Sequence, residues 1–150
     1  MPGPRRSTWG QATGRGSRVV PHLIGHIAQT LTARPTVCLL TSVLPWVLEQ
    51  NLSEDAIAAF KRMTLGFFGE TATFMSRVVP GMTHTMATGL MQDGAIVLAG
   101  LYPHTHPADA VERVLQTHPD LRVFTRDFEA DLARFLYAIA IDLMGPTPAP

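Results

Sequence analysis

A chain of 150 residues is long enough for one domain that buries about 70% of the surface its unfolded form exposes, and its 46% hydrophobic content excludes wholesale disorder. Only 16% of the residues are charged, against about 25% in ordinary soluble domains, which argues against a uniformly solvated monomer and for an oligomer interface or a ligand cavity. The net charge of zero divides unevenly: Met1 to Leu48 carries five arginines and no acid, while from Glu49 onward seven basic face twelve acidic side chains, so the body of the chain has no basic field for nucleic acid.

Cys38 is the single cysteine, which excludes an internal disulfide, a cysteine-rich zinc site and a CxxC redox pair, and fits a reducing cytoplasm. The uncharged runs 19–33, 35–48 and 78–92 are broken by Pro, His, Gly, Thr or Gln and fall short of the roughly 18 apolar residues of a membrane span. The arginine-bearing start lacks the apolar stretch of a signal peptide.

Residues 1–18 lack apolar periodicity and are rich in Gly and Pro, so they are expected to be a disordered basic tail. A helical pattern begins at Val19, and Arg34-Pro35 marks the start of a second helix from about Thr36 to Glu49, kinked at Pro45. Ser53 is the predicted N-cap of a long helix that stops before Pro80-Gly81, with Glu54 and Asp55 against its positive end. A further helix is predicted from Thr83 or His84 to Leu101, ended by Tyr102-Pro103; then a short one from Pro107 to Thr117, and a long one from Val123 to Met144 stopped by Gly145-Pro146. No strand pattern appears, so the fold class is all-α, a bundle of about six helices over residues 19–145, with 146–150 as a Pro-rich tail.

Plotted at about 100° per residue, the central helix places Asp55, Arg62, Gly66, Gly69, Glu70, Thr73 and Arg77 on one face and Ile57, Phe60, Thr64, Phe67, Phe68, Thr71, Phe74, Met75 and Val78 on the other. The second face reads either as a helical core or as the wall of an apolar pocket oriented by two threonines. The last helix has two apolar arcs, one with Leu132, Leu136 and Leu143, the other with Ala133, Tyr137, Ala140, Ile141 and Met144. A monomer core needs one of them, so the second is assigned to a partner chain, met by Gly94, Leu98 and Leu101 of the preceding long helix.

Chemistry-bearing spacings are few. His22 and His26 sit at i, i+4, and His104 and His106 add a second pair, which together would be the basis of a metal enzyme. No HExxH is present, and no acid lies near the first pair to activate a metal-bound water. Ordinary polar histidines are the preferred reading, with no metal, cofactor or catalytic residue assigned. Asp127, Glu129 and Asp131 read as a solvated helix edge, and Cys38 as a small buried hydrophobe.

The sequence RPTVC at 34–38, WVLEQNLS at 46–53, AAFKR at 58–62, VPG at 79–81, AGLYP at 99–103, HP at 118–119 and RDF at 126–128 resembles the C-terminal regulatory domain of tetracycline-repressor-type (TetR) transcriptional regulators. The resemblance covers about Val19 to Gly145. It implies a homodimer formed through the last two long helices and a small-molecule effector held around the central helix. On that reading Trp46, Phe60, Phe67, Phe68 and Phe74 are the expected apolar walls of the pocket, Thr41, Thr64 and Thr71 its hydrogen-bonding groups and Met86 an adjustable contact. The family's N-terminal helix-turn-helix takes about 45 residues, and eighteen precede the matched stretch. The expectation is therefore the sensing and dimerising half of a repressor, without specific nucleic-acid binding of its own. A DNA-binding-deficient subunit that pairs with a full-length regulator is the alternative.

Overall fold

The computed structural model describes residues 16–145, apart from the side chains of Ser17, Trp46 and Leu48, and every regular element among them is helical. Helix α1 (Gly16–Thr32) begins three residues ahead of the predicted start. Its stripe Val20, Ile24 and Ala28 is buried, with Leu23, Ile27 and Leu31 packed beside it. The Arg34 guanidinium donates to the Thr30 carbonyl at 2.9 Å, placing a cation on the negative end of the helix. Pro35 then opens α2 (Pro35–Val43) at a position where the missing N–H costs nothing.

The kink predicted at Pro45 takes the form of a π-helical turn, Leu44–Leu48, in which the Glu49 N–H donates to the Leu44 carbonyl five residues back. Pro45 has no N–H to donate and its ring crowds the preceding turn, so the backbone widens by one residue before α3 (Glu49–Asn51) resumes. Helix α4 (Glu54–Val78) starts as the sequence predicts: the Ser53 hydroxyl accepts from the Ala56 N–H at 3.3 Å. Lys61 pairs with Glu49 and ties its first turns to α3. Gly81, at φ +82°, turns the chain into α5 (His84–Thr105), which the Thr83 hydroxyl caps by accepting from the Met86 N–H.

Two boundaries differ from the sequence reading. Helix α5 does not end at Leu101 but runs through Pro103 for another turn, because Thr105 Oγ1 donates to the Leu101 and Tyr102 carbonyls and the His106 N–H also reaches Tyr102. After α6 (Asp109–Thr117) and a 3₁₀ turn (Pro119–Phe124) the chain breaks, so the predicted helix from Val123 does not exist as one piece. Instead Asp127 caps α7 (Phe128–Met144), its carboxylate accepting from the Ala130 N–H at 2.7 Å. Asp127 is thus a helix start rather than a helix edge, and Gly145, at φ +69°, is the stop the sequence predicts.

Helix α5 lies at the centre and packs on α7, α4 and α2, and α7 packs also on α1. The core where they meet includes Ile24, Met75, Leu90, Leu98, Leu132 and Leu136. No described helix is long and apolar enough to cross a membrane.

Candidate ligand-binding cavity

The residues that face inward from α1, α2, α4, α5 and α7 do not fill the space between them. They leave a cavity of about 440 Å³, within the range of about 300 to 1,000 Å³ typical of small-molecule sites. Its walls are Ile24, Ile27 and Leu31 from α1, Val37 from α2, Phe67, Phe68 and Met75 from α4, Leu90, Met91, Gly94, Ala95 and Leu98 from α5, and Leu132 and Leu136 from α7. His26, Thr30, Thr41 and Thr71 are the polar side chains in the lining, and no Asp, Glu, Lys or Arg is among them. Such a site can bury an apolar molecule and offer it a few hydrogen bonds, but apart from the His26 imidazole it has no ionisable side chain to offset the desolvation of a charge.

The α4 face predicted to form the pocket is rotated. Phe67 and Phe74 are 59% and 58% exposed, while Gly69 and Thr73 of the predicted outer arc are half-buried. The buried stripe runs through Phe68, Ala72, Met75 and Val79, roughly 70° away from the centre of the phenylalanine arc. Small residues allow the closest approach of neighbouring helices, so Ala72, with no exposure, marks the packed side better than the large aromatics do. Phe67 nevertheless reaches the cavity, and together with Val37, also about half exposed, it forms the lip.

Of the predicted ligand contacts, Thr41, Phe67, Phe68 and Thr71 come together in the cavity. Phe60, Thr64, Phe74 and Met86 do not. The Thr64 hydroxyl turns back onto the Phe60 carbonyl at 3.0 Å, and Met86 Sδ accepts the Thr83 N–H at the start of α5. Phe74 lines an adjoining depression with Arg18, Val19, His22, Leu23 and Val78, which shares His26 with the cavity. The Trp46 side chain lies outside the described residues. The Thr41 hydroxyl is engaged with the Val37 carbonyl at 2.9 Å, whereas Thr71 makes no such backward bond among the described residues.

Sequence reasoning missed the α1 wall altogether, although Ile24, Ile27 and Leu31 follow helical spacing and His26 and Thr30 sit at i, i+4 beside them. It also misplaced part of α5. Gly94, Leu98, Leu101 and Ala140, expected at a dimer interface, are buried inside the protomer, and Gly94 and Leu98 line the cavity. Ala133 and Met144 pack half-buried against the same core. The reason is that α7 has two neighbours within its own chain, α5 and α1, so most of both apolar arcs is covered within the protomer. Tyr137 and Ile141 remain 41% and 44% exposed.

The histidine pairs stay apart. His22 and His26 meet edge to face at 4.7 Å, whereas His104 and His106 line a different cleft. Among the described residues no three His, Cys, Asp or Glu side chains are grouped to hold a metal ion.

No curated protein matches the sequence. The family described as tetracyclin repressor-like, C-terminal domain, matches residues 8–141. With an all-helical bundle in the described residues and a match over most of its length, the chain belongs to the tetracyclin repressor-like C-terminal domain family.

Proposed function

We propose that this chain is the effector-sensing and dimerising half of a transcriptional regulator, acting in the cytoplasm, and that its effector is an uncharged, largely apolar small molecule. The observation that carries the reading is the cavity of about 440 Å³, whose lining holds three threonines and one histidine but no formal charge. Burying an ionised group there without a partner would cost several kcal/mol, so charge is the first property the site rejects. Shape follows from Phe67, Phe68 and Met75, which offer flat and adaptable apolar contact, and Thr71 supplies the orienting hydrogen bond. No catalytic step is assigned to any residue.

The pairing surface on this reading is the outward side of α5 and α7. Ile96 is 72% exposed, Gly100 has open space around it, and Tyr137 and Ile141 stand out from α7. These residues replace the buried Gly94, Leu98, Leu101 and Ala140 as the centre of the interface, which needs about 1,200 to 2,000 Å² in total for a stable dimer.

A thermal-shift panel of neutral apolar compounds and their carboxylate counterparts tests the reading. Neutral members should raise the melting temperature by an amount that Thr71→Val reduces, and any shift given by the carboxylates should be indifferent to Thr71→Val. For any neutral binder with a hydrogen-bonding group, Thr71→Val should weaken binding by about five- to tenfold, the worth of one partly buried hydrogen bond. Carboxylates whose stabilisation is reduced by Thr71→Val as much as that of the neutral compounds, or full affinity of the neutral binder in Thr71→Val, would overturn it.

A further inference from the structure

A second concave site lies at the other end of α5, and its chemistry is the opposite of the first. It is a cleft of about 710 Å³ between the last turn of α5, α6, the 3₁₀ turn and the strand-like link to α7, and it shares no lining residue with the apolar cavity. Arg122, Arg126, His104 and His106 line it against one carboxylate, Glu112. That carboxylate already accepts from the Gln116 amide at 3.1 Å. Arg126 lies 3.5 Å from Asp131, but Asp131 is also held by Arg134 at 2.9 Å, so the Arg126 guanidinium keeps unused N–H groups. Arg122 has no ion-pair partner among the described residues.

The carbonyls at the end of α5 would ordinarily repel an anion. Here the Leu101 and Tyr102 carbonyls are engaged by Thr105 Oγ1, and Tyr102 also by the His106 N–H. The His106 ring is held in place, stacked on Tyr102 with centroids 4.1 Å apart and set edge-on to Phe128 at 5.7 Å. Phe124 also lines the cleft, yet 66% of it stays exposed, so an apolar ring stands uncovered beside two guanidinium groups.

We propose that this cleft binds a small amphipathic carboxylate, its carboxyl group held by Arg122 and Arg126 and its apolar body laid on Phe124. Arginine presents a planar fork that matches a carboxylate with two parallel N–H donors. An extended polyanion does not fit, because Asp109, Glu112 and Asp120 lie on α6 and the 3₁₀ turn around the site and interrupt any basic track a nucleic-acid strand would follow. A bare phosphate would leave Phe124 uncovered.

The test is calorimetric titration of the full chain with phenylpropanoate, with phenylpropanamide as its uncharged match and inorganic phosphate as an anion without an apolar body. Phenylpropanoate should bind once per chain. Arg122→Gln should weaken it by about fivefold, the upper range for an exposed ion pair, and Glu112→Gln should tighten it by about twofold by removing the opposing charge. Thr71→Val, in the apolar cavity, should leave that affinity unchanged. Because Arg122 has no structural ion pair and Glu112→Gln is a gain, a folding defect cannot imitate the pattern. Absence of saturable phenylpropanoate binding, equal loss of acid and amide binding in Arg122→Gln, phosphate binding as tightly as phenylpropanoate, or indifference of phenylpropanoate to Arg122→Gln would each overturn the proposal.

Discussion

Cys38 illustrates how burial sets the properties of a single side chain. It has no exposure, and its Sγ donates to the Leu31 carbonyl at 3.3 Å, joining α2 to the end of α1. Desolvation pushes the thiol above its ordinary value of 9.0, because the thiolate would lose its hydration. The folded state therefore holds the Cys38 proton more tightly than the unfolded chain does. Its stabilising contribution is fully present below the ordinary thiol range and is lost as the pH rises through that range toward the folded value. In urea denaturation between neutral pH and the alkaline range, wild type should lose stability more steeply than Cys38→Ala, and iodoacetamide should label folded protein far more slowly than a free thiol. Parallel pH profiles for the two proteins would contradict this.

At the scale of elements, the helices that are closest in space are fixed by residues with the least side chain. A Cβ added at Gly94 on α5 would sit 2.8 Å from Leu136 Cδ2 on α7, nearer than van der Waals contact permits. At Gly66 on α4 it would meet nothing within 4 Å. Gly94→Ala should therefore forfeit alanine's propensity gain and leave the fold unchanged or up to about 1 kcal/mol less stable, because the end of the Leu136 side chain must turn aside toward the cavity it lines. Gly66→Ala should stabilise it by about 0.5 to 1 kcal/mol through propensity alone. Chemical denaturation of the two variants checks the contrast, and equal effects would remove Gly94 as the contact point. The same physics explains what was legible in the sequence. The cap at Ser53, the stop at Gly145 and the disturbance at Pro45 depend on local bonding, and pattern reading places them. The continuation past Pro103 and the start at Asp127 rest on side-chain bonds, Thr105 to Leu101 and Asp127 to Ala130, that apolar periodicity does not register, while the rotation of α4 toward Ala72 depends on its neighbours, which a wheel drawn around the largest side chains cannot see. Within the cavity, Phe68 and Thr71 were legible from α4, but the α1 wall was not, since nothing in its periodicity says which helix it will face.

For the whole molecule, the low charge content goes with a cavity that the chain's own side chains do not fill and with apolar side chains left outward on several helices, among them Leu39 and Leu40 of α2, Met63 and Leu65 of α4, Ile96 of α5 and Ile141 of α7. The second arc of α7, which the sequence suggested for a partner, is largely taken up by α5 and α1 of the same chain. On the proposed pairing the surface is narrower, centred on Ile96, Gly100, Tyr137 and Ile141. Ile96→Glu and Ile141→Glu should each place like charges at a two-fold contact and convert a dimer to monomer, whereas Ala140→Glu, with Ala140 fully buried, should unfold the protomer. Light scattering combined with circular dichroism separates these outcomes; a wild-type monomer at micromolar concentration, or dimers unaltered by both outward substitutions, would contradict the assigned surface.

The effector cavity is the centre of the account, and a neutral apolar dye probes it most directly. Nile red carries no charge, and its fluorescence rises on leaving water, so titration into the full chain reports occupancy of an uncharged apolar space. The cavity should take up the dye saturably, one molecule per chain. Ala95→Trp, which projects an indole from α5 into the same space, should abolish the signal while helical content is retained. Saturable fluorescence that survives Ala95→Trp, or none in the wild-type protein, would contradict the assignment of this cavity as the effector site.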